Sequence, residues 1–397
     1  MSGFHEVRIG DVLTLQRGFD ITRNEQSDGD VPIVSSSGIS SFHNKWKVKG
    51  PGVVIGRKGT LGTVHFLRCN YWPHDTTLWI KDFKGNEPRF LSYFLRTLRL
   101  ETFDVGAANP TLNRNHVHSI RVVFPKKIDT QRRIAAILAP YDDLIENNRR
   151  RIALLEALVE DIYREWFVRL RFPGHENVRL EKGVPHGWSV LPFSAIVHVN
   201  PSESIDRSED LPFVGMEDLS VESMYFTSNE TRKGGQGARF RNRDVLFPRI
   251  TPSVENGKRG FVMTLAEGQV GFGSTEFIVL REKIIGPEHI YFLTCSSDFR
   301  KHAELSMTGA SGRQRVQEEC FSFFLVKTPP PELRGNFSEI TRPHFLQIHL
   351  LSRQIDQLKK TRDLLLPRLL SGKLSVDNFD VQFSTELEAP QKANDNA

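Results

Sequence analysis

Residues 134–166 read IAAILAPYDDLIENNRRRIALLEALVEDIYREW. In this stretch apolar residues recur in alternating steps of four and three, and one position of the series is polar. The series is Ile134, Leu138, Tyr141, Ile145, Asn148, Ile152, Leu155, Val159, Ile162 and Trp166. A 3.5-residue period keeps one stripe of a helix facing a partner helix. We therefore predict a long coiled-coil helix in which Asn148 fixes the register.

A second stretch near the end of the chain has the same period and supplies the partner. Its series is Ile348, Leu351, Ile355, Leu358, Arg362, Leu365 and Leu369. The two stretches are separated by a globular block, so the second helix buries its stripe by running back along the first, and we predict an antiparallel pair. The central seam positions are Ile145, Asn148, Ile152, Leu155, Ile355, Leu358, Arg362 and Leu365.

The blocks that precede the two helices resemble each other in their order of elements. Each contains strand-like apolar runs, an amphipathic helix and a polar loop before a closing strand. Tyr93-Phe94-Leu95 and Tyr291-Phe292-Leu293 are 198 positions apart, and Pro125 and Pro329, which end the closing strands, are 204 apart. An offset that drifts so little indicates a duplicated module with loop-length changes.

This organisation predicts an α+β protein in which two β-rich recognition domains are joined by two long antiparallel coiled-coil helices. We place the first recognition domain at 1–128 and the first helical region at 129–172. The second recognition domain is expected at 184–331 and the second helical region at 332–374. Residues 375–397 are polar and are expected to form a disordered tail.

Bulk composition narrows the class of protein. A chain of 397 residues with 39% hydrophobic and 25% charged residues fits two or three soluble domains. The first residues lack the features of a signal peptide, and the three cysteines, Cys69, Cys295 and Cys320, are scattered. We therefore expect a cytoplasmic protein without a disulfide framework. No apolar run reaches the length of a membrane span, so no membrane partner is expected.

Charge is distributed unevenly along the chain. Residues 1–128 contain 18 Lys and Arg against 11 Asp and Glu, a net charge of +7 that favours a polyanionic partner. Residues 203–230 contain eight acidic side chains and one basic, whereas residues 231–260 contain eight basic and two acidic. The basic segment forms either one face of a binding cleft or a solvated surface paired with the acidic segment.

The chain contains no recognisable catalytic motif. Gly56-Arg57-Lys58-Gly59-Thr60-Leu61-Gly62 has the wrong order for a phosphate-binding loop. Asn109-Pro110-Thr111-Leu112 lacks the second proline and the aromatic residue of an adenine-methylase motif. No residue spacing suits a metal site. We expect a non-catalytic protein that binds no metal and no cofactor by itself.

Polar and basic loops between strands are the candidates for DNA contact. A glycine-containing turn brings backbone close to a phosphate, and Arg, Asn and Gln side chains suit bidentate contacts to bases. The candidates are Arg57, Lys58, Gly59, Thr60, Asn109, Asn113, Arg114, Arg249, Lys258, Arg259, Arg313, Gln314 and Arg315. The alternative for each is an ordinary solvated loop.

Several local strings resemble the specificity subunits of type I restriction-modification systems. The glycine-rich turn is similar to that of their target recognition domains. Other similar strings are Gln131-Arg132-Arg133-Ile134-Ala135-Ala136-Ile137-Leu138, Asp142-Asp143-Leu144-Ile145, Trp166-Phe167-Val168-Arg169-Leu170-Arg171-Phe172-Pro173-Gly174, Val184-Pro185-His186-Gly187-Trp188 and Ser371-Gly372-Lys373-Leu374. The likeness extends over about residues 4–376. The first module departs from it because it lacks the Pro-x-Gly-Trp opening.

The resemblance implies a specific role. Each recognition domain would read one half of a bipartite site in double-stranded DNA, and the helices would set the spacer and dock adenine-N6 methyltransferase subunits. A restriction and translocase subunit would join them, and S-adenosylmethionine, ATP and Mg would bind to the partner subunits. Two alternatives stay open: a non-enzymatic coiled-coil scaffold with protein-binding β-rich modules, and a diverged methyltransferase with its own S-adenosylmethionine site.

Overall fold

A computed structural model describes residues 4–103, 111–227, 230–310 and 313–376. The chain divides into two compact units. Unit 1 comprises residues 1–145 together with 357–397, and unit 2 comprises residues 146–356. Each unit therefore combines one β-rich block with segments of both long helices.

Eight α-helices occur in the described part of the chain. They are α1 (Ile9–Val12), α2 (Pro88–Arg96), α3 (Arg114–Ser119), α4 (Ile128–Tyr163), α5 (Phe193–Ile196), α6 (Pro287–Cys295), α7 (Ser297–Leu305) and α8 (Pro331–Leu370). A π-helical turn, Arg164–Val168, continues α4. The two long helices predicted from the heptad periods are confirmed as α4 and α8. None of the described helices combines the length and the apolar character needed to cross a membrane.

The described residues of unit 1 form three sheets. Their strands are β1 (Phe4–Arg8), β2 (Thr14–Arg17), β3 (Val31–Ser35), β4 (Gly38–His43), β5 (Gly52–Gly56), β6 (Val64–Leu67), β7 (Trp72–Pro73), β8 (Thr77–Asp82) and β9 (Arg121–Pro125). An antiparallel sheet has the order β2-β8-β5-β6, and a second sheet has the order β4-β3-β7 with β3 and β7 parallel. Strands β1 and β9 pair with each other, so the two ends of the module meet.

Unit 2 repeats this arrangement and adds a short hairpin. Its strands are β10 (Leu180–Glu181), β11 (Val184–Pro185), β12 (Ser189–Pro192), β13 (Val197–Val199), β14 (Asp210–Val214), β15 (Thr231–Lys233), β16 (Ala238–Phe240), β17 (Val245–Pro248), β18 (Gly260–Phe261), β19 (Gly271–Gly273), β20 (Phe277–Glu282) and β21 (Leu325–Thr328). The sheets have the orders β10-β11, β12-β21, β13-β20-β17-β18 and β15-β14-β19-β16.

The internal repeat predicted from the sequence is confirmed by strand order. Sheet β2-β8-β5-β6 of unit 1 corresponds to β13-β20-β17-β18 of unit 2, and the closing pair β1-β9 corresponds to β12-β21. The second sheet of each unit contains one parallel pair, β3 with β7 and β14 with β19. The Tyr-Phe-Leu triplets lie on α2 and α6 and are buried in both units. The α+β class is therefore also confirmed.

In unit 1 the end of the chain completes the hydrophobic core. Ile134 and Leu138 of α4 share a buried cluster with Leu366 and Leu369 of α8. Asp142 is bonded to Arg362 at 2.5 Å and to Arg96 at 3.1 Å. The later residues of α8 lie opposite the earlier residues of α4, so the two segments run antiparallel within this unit.

In unit 2 the same two helices pair through polar and aromatic side chains. The buried amide of Asn148 donates to Oε1 of Gln354 at 2.9 Å. Farther along, the ring of Tyr163 packs against Phe337, so this pairing is also antiparallel within the unit. Of the predicted seam positions, those with fully buried side chains are Ile145, Asn148, Ile152 and Ile355; the half-buried ones are Leu155, Leu358, Arg362 and Leu365.

Four local predictions differ from the structure. The polar loop predicted at 106–118 contains α3, which Asn113 caps. The helix predicted at 288–300 is broken at Ser296, whose extended ψ of 143° ends α6 and whose hydroxyl accepts from the Phe299 amide to begin α7. The strand predicted from Phe321 begins only at Leu325 because a 3-10 turn precedes it. In the predicted tail, Val376 is buried in the core of unit 1, and residues 377–397 lie outside the described residues.

A buried histidine makes the stability of unit 2 depend on pH. The ring of His289 stacks on Phe167 at 4.2 Å between centroids and meets Tyr163 edge-on. Burial, together with the nearby positive charge of Arg334, lowers the pKa of His289 to about 3. The unfolded chain therefore takes up a proton near the ordinary pKa of about 6.5 while the folded unit does not.

We predict that unit 2 is most stable above about pH 6.5 and loses roughly 2 kcal/mol of unfolding free energy between pH 6.5 and pH 5, at about 1.4 kcal/mol per pH unit. His289→Leu should remove this part of the pH dependence, because leucine has similar volume and no proton to bind. Urea unfolding of both proteins across this range measures it. Parallel pH profiles would contradict the assignment.

Candidate nucleic-acid interface

A glycine-rich turn follows β5 and presents two basic residues. Gly59 and Gly62 have φ of +76° and +72°, in the left-handed region that favours glycine. At Gly56 an added Cβ would lie 2.0 Å from the Thr60 carbonyl oxygen. The turn is therefore tight because of its glycines, and it leaves Lys58, Gly59 and Thr60 exposed.

Three loops of unit 1 converge at this turn. The amides of Arg57 and Lys58 both donate to the carbonyl of Thr76, at 2.8 and 3.0 Å, and the amide of Leu112 donates to the carbonyl of Arg57 at 2.9 Å. Lys58 also forms a bridge with Thr111. We call this junction of Arg57, Lys58, Thr76, Thr111 and Leu112 edge 1.

Unit 2 builds the same junction from corresponding residues. The amide of Arg249 donates to the carbonyl of Glu276 at 2.8 Å, and the amide of Val316 donates to the carbonyl of Arg249 at 2.8 Å. Ile250 forms a bridge with Arg315. We call Arg249, Ile250, Glu276, Arg315 and Val316 edge 2. Two backbone hydrogen bonds and one bridge of edge 1 recur at edge 2, so the sequence-predicted Arg57 and Arg249 occupy corresponding positions.

The charges at the two edges differ. In edge 1, Lys58 is exposed, and within the described residues no carboxylate lies within ion-pair distance of Arg57. Burial, followed by repulsion from Arg17, lowers the pKa of Arg57. In edge 2, Arg249 is paired with Glu318 at 3.2 Å, and Arg315 is paired with Glu276 at 2.6 Å. Edge 1 is therefore cationic, whereas edge 2 holds neutralised arginines.

The remaining candidates in unit 1 are placed beside edge 1. Asn113 and Arg114 follow Leu112 directly and are exposed. The side-chain oxygen of Asn113 accepts from the amide of Asn115 at 2.9 Å and thereby caps α3. Asn109 lies outside the described residues.

The remaining candidates in unit 2 fall into two groups. Arg313 and Gln314 adjoin edge 2, and the carbonyl of Gln314 accepts from Thr251. Lys258 and Arg259 are engaged inside the fold: Lys258 donates to the carbonyl of Met216 at 2.9 Å, and the Arg259 guanidinium lies over the Tyr291 ring at 5.4 Å. For these last two residues the contacts in the fold compete with any contact to DNA.

The basic segment 231–260 pairs largely with acidic side chains. Arg241 pairs with Glu203 at 2.6 Å and Arg243 with Glu282 at 3.1 Å. Arg281 of β20 joins the same buried network through Glu203 and Asp244. Arg241 therefore pairs with the acidic segment 203–230, as that alternative expected, whereas Glu282 lies outside this segment and Glu203 and Asp244 are buried instead of solvated. Glu276 and Glu318 were not among the candidates predicted from the sequence, although an offset of 200 residues from Thr76 points to position 276.

A small group of possible ligands lies next to edge 1. Asp20, His74 and Asp75 each place one atom within 4.8 Å of the others. Asp75 is already paired with Arg17 at 2.8 Å, and Nδ1 of His74 lies 3.1 Å from the hydroxyl of Thr76. Asp75 and His74 are therefore already engaged in an ion pair and a hydrogen bond beside the loop of Thr76.

Comparison with known proteins shows which proteins this chain resembles. Residues 1–157 match the family model of the type I restriction modification DNA specificity domain. The specificity subunit of the type I restriction enzyme MjaIX from Methanocaldococcus jannaschii is 24% identical over 314 residues, which cover 74% of this chain and 71% of that protein. The chain is thus similar to type I specificity subunits, and its first 157 residues match the specificity domain. The MjaVIII specificity subunit of the same organism is 20% identical over 410 residues, covering 94% and 93%.

The fold of the specificity subunits extends over both units. The crystal structure of a type I restriction-modification S subunit from M. genitalium superposes with a TM-score of 0.59 at 14% identity. The match covers 92% of this chain and 96% of that chain. The structural match confirms the fold, and together with the matches to the family model and to the two relatives it supports the resemblance seen in the sequence, so the scaffold alternative is not favoured.

Edge 1 yields a test of the candidate interface. Arg57→Gln/Lys58→Gln removes two cations that no carboxylate within ion-pair distance neutralises among the described residues, so we predict weaker binding to every duplex sequence. The slope of log affinity against log salt should fall by up to about 2, because each neutralised phosphate contributes about 0.9.

Lys81→Gln is the matched control, since Lys81 is exposed on the same strand as Thr77 but near its other end. Fluorescence anisotropy with duplexes at several salt concentrations measures both variants. Relaxed discrimination at one half-site, with an unchanged slope, would assign the turn to base reading. Unchanged affinity would remove it from the interface.

Proposed function

We propose that this chain is the sequence-reading subunit of a type I restriction-modification complex, and that each unit reads one half of a bipartite DNA site. One observation carries the proposal: the same three-loop junction is built in both units, with different side chains. A duplicated reader with a shared backbone and divergent side chains suits the recognition of two unlike half-sites. Edge 1 supplies cations for phosphates, and both edges supply arginines for base contacts.

The helices supply surfaces for partner subunits. Leu154 and Leu158 are four residues apart on α4, and Leu346 and Leu350 have the same spacing on α8; all four are exposed. Exposed apolar pairs of this kind are typical of interaction surfaces. We propose that methyltransferase subunits dock on these helices, and that the helices set the spacer between the half-sites.

The chemistry is assigned to other chains of the complex. S-adenosylmethionine would bind to the methyltransferase subunits, and ATP and Mg to a restriction and translocase subunit. The absence of a phosphate-binding loop or an adenine-methylase motif from the sequence supports a non-catalytic role. We propose that the complex acts on double-stranded DNA in the cytoplasm.

A modified-base map of the host genome tests the proposal. Single-molecule sequencing should find a split motif methylated on adenine in both halves, lost on deletion of this gene and restored by complementation. The purified chain, incubated with a randomised duplex library, should enrich the same split motif. If deletion changes no motif and the purified chain enriches none, the proposal is wrong.

A further inference from the structure

Arg315 of edge 2 is held by a carboxylate on one side of its guanidinium. Nε of Arg315 donates to both oxygens of Glu276, at 3.0 and 2.8 Å, and Nη2 donates to Oε1 at 2.6 Å. The side chain of Arg315 is 47% exposed, whereas that of Glu276 is 20% exposed. The carboxylate therefore acts as a partly sheltered support, and the guanidinium reaches outward from it.

Among the residues that the structure describes, none bonds to the side of the guanidinium that faces away from Glu276. Arginine has five N–H donors in a planar fork. The bonds to Glu276 use the Nε–Nη2 side, so the Nη1–Nη2 side keeps two parallel donors. Two parallel donors match O6 and N7 of guanine in the major groove, the commonest specific contact of arginine with DNA.

The backbone around this pair is also fixed. The amide of Arg315 donates to the carbonyl of Thr308 at 2.9 Å, and the amide of Thr308 donates back to Arg315 at 3.1 Å. The amide of Glu276 donates to the hydroxyl of Ser274 at 3.2 Å, and its carbonyl accepts from Arg249. Both partners of the ion pair are therefore anchored to the same loop junction.

We propose that Glu276 is a positioning residue for DNA specificity, holding Arg315 so that its free side reads a guanine in the half-site of unit 2. The inference rests on the proposed function and adds to it the residue that orients the reader. Fixing the guanidinium before binding reduces the side-chain entropy lost on contact. The carboxylate also cancels the charge of Arg315, which weakens its attraction to phosphates and favours base reading over backbone contact.

Unit 1 lacks this pair at the corresponding positions. Thr76 occupies the position of Glu276, and Thr111 occupies that of Arg315. The hydrogen bond to Arg315 lowers the pKa of Glu276, so the carboxylate is ionised at neutral pH and the pair persists there. The arginine held by a carboxylate is thus a feature of edge 2. In edge 1, Lys58 is exposed and pairs with no carboxylate among the described residues.

Glu276→Gln in the full-length chain tests the inference. Glutamine keeps the shape of the side chain but lacks the negative charge that pairs with Arg315. We expect discrimination at one G·C pair of a single half-site to fall about tenfold. Affinity for unrelated duplexes should rise, and the salt slope should steepen by up to about 1, because a cation is released toward the phosphates.

Glu282→Gln is the matched control. Glu282 pairs with Arg243 at 3.1 Å and lies on β20, the strand that Glu276 directly precedes, but at its opposite end. It should alter neither discrimination nor salt slope. Selection from a randomised duplex library identifies the half-site. Fluorescence anisotropy on single-base variants of that half-site then gives the discrimination and the salt slope of the wild-type chain and of each variant.

Arg315→Ala separates positioning from a purely structural role. In that background, Glu276→Gln should cause no further loss of discrimination, because Glu276 acts through Arg315. A folded Glu276→Gln protein with native discrimination at every position, or with equal loss of affinity at all sequences, would overturn the inference and leave the proposed function standing. A wild-type chain that selects no half-site at all would overturn both.

Discussion

The apolar seam between α4 and α8 is the constraint on which the rest of the structure depends. In unit 1, Leu366 and Leu369 from the end of the chain are buried in the same core as Ile134 and Leu138. In unit 2, Phe337 from the start of α8 packs against Tyr163. In each unit, the segment of α4 packs against a segment of α8 that is distant in sequence. The loops of edge 1 therefore rest on a core that the end of α8 completes, and those of edge 2 on a core that the start of α8 completes.

The two edges share the same backbone geometry but carry different side chains. The backbone bonds around Arg57 recur around Arg249, yet threonines in one unit stand where Glu276 and Arg315 stand in the other. Main-chain hydrogen bonds hold the loops in place whatever the side chains are, so the side chains are free to differ. This is the physical basis on which two readers of one fold can recognise different DNA.

The features predicted correctly from the sequence are those that follow from periodic patterns, namely the two long helices and the internal repeat. The heptad steps located both long helices, and the Tyr-Phe-Leu triplets located the repeat. The partners of the arginines were not predictable from periodicity, because Arg315 pairs with Glu276, 39 residues away, and Arg249 with Glu318, 69 residues away. The break at Ser296 was also missed, since a serine that caps the next helix interrupts an otherwise helical pattern.

Hydroxyl-radical footprinting of the full-length chain on a duplex with both half-sites tests the central claim, that each unit reads one half. We expect two protected stretches separated by unprotected base pairs. Arg57→Gln/Lys58→Gln should weaken protection in one stretch, and Arg315→Ala in the other. A single continuous footprint, or loss of the same stretch in both variants, would contradict the account.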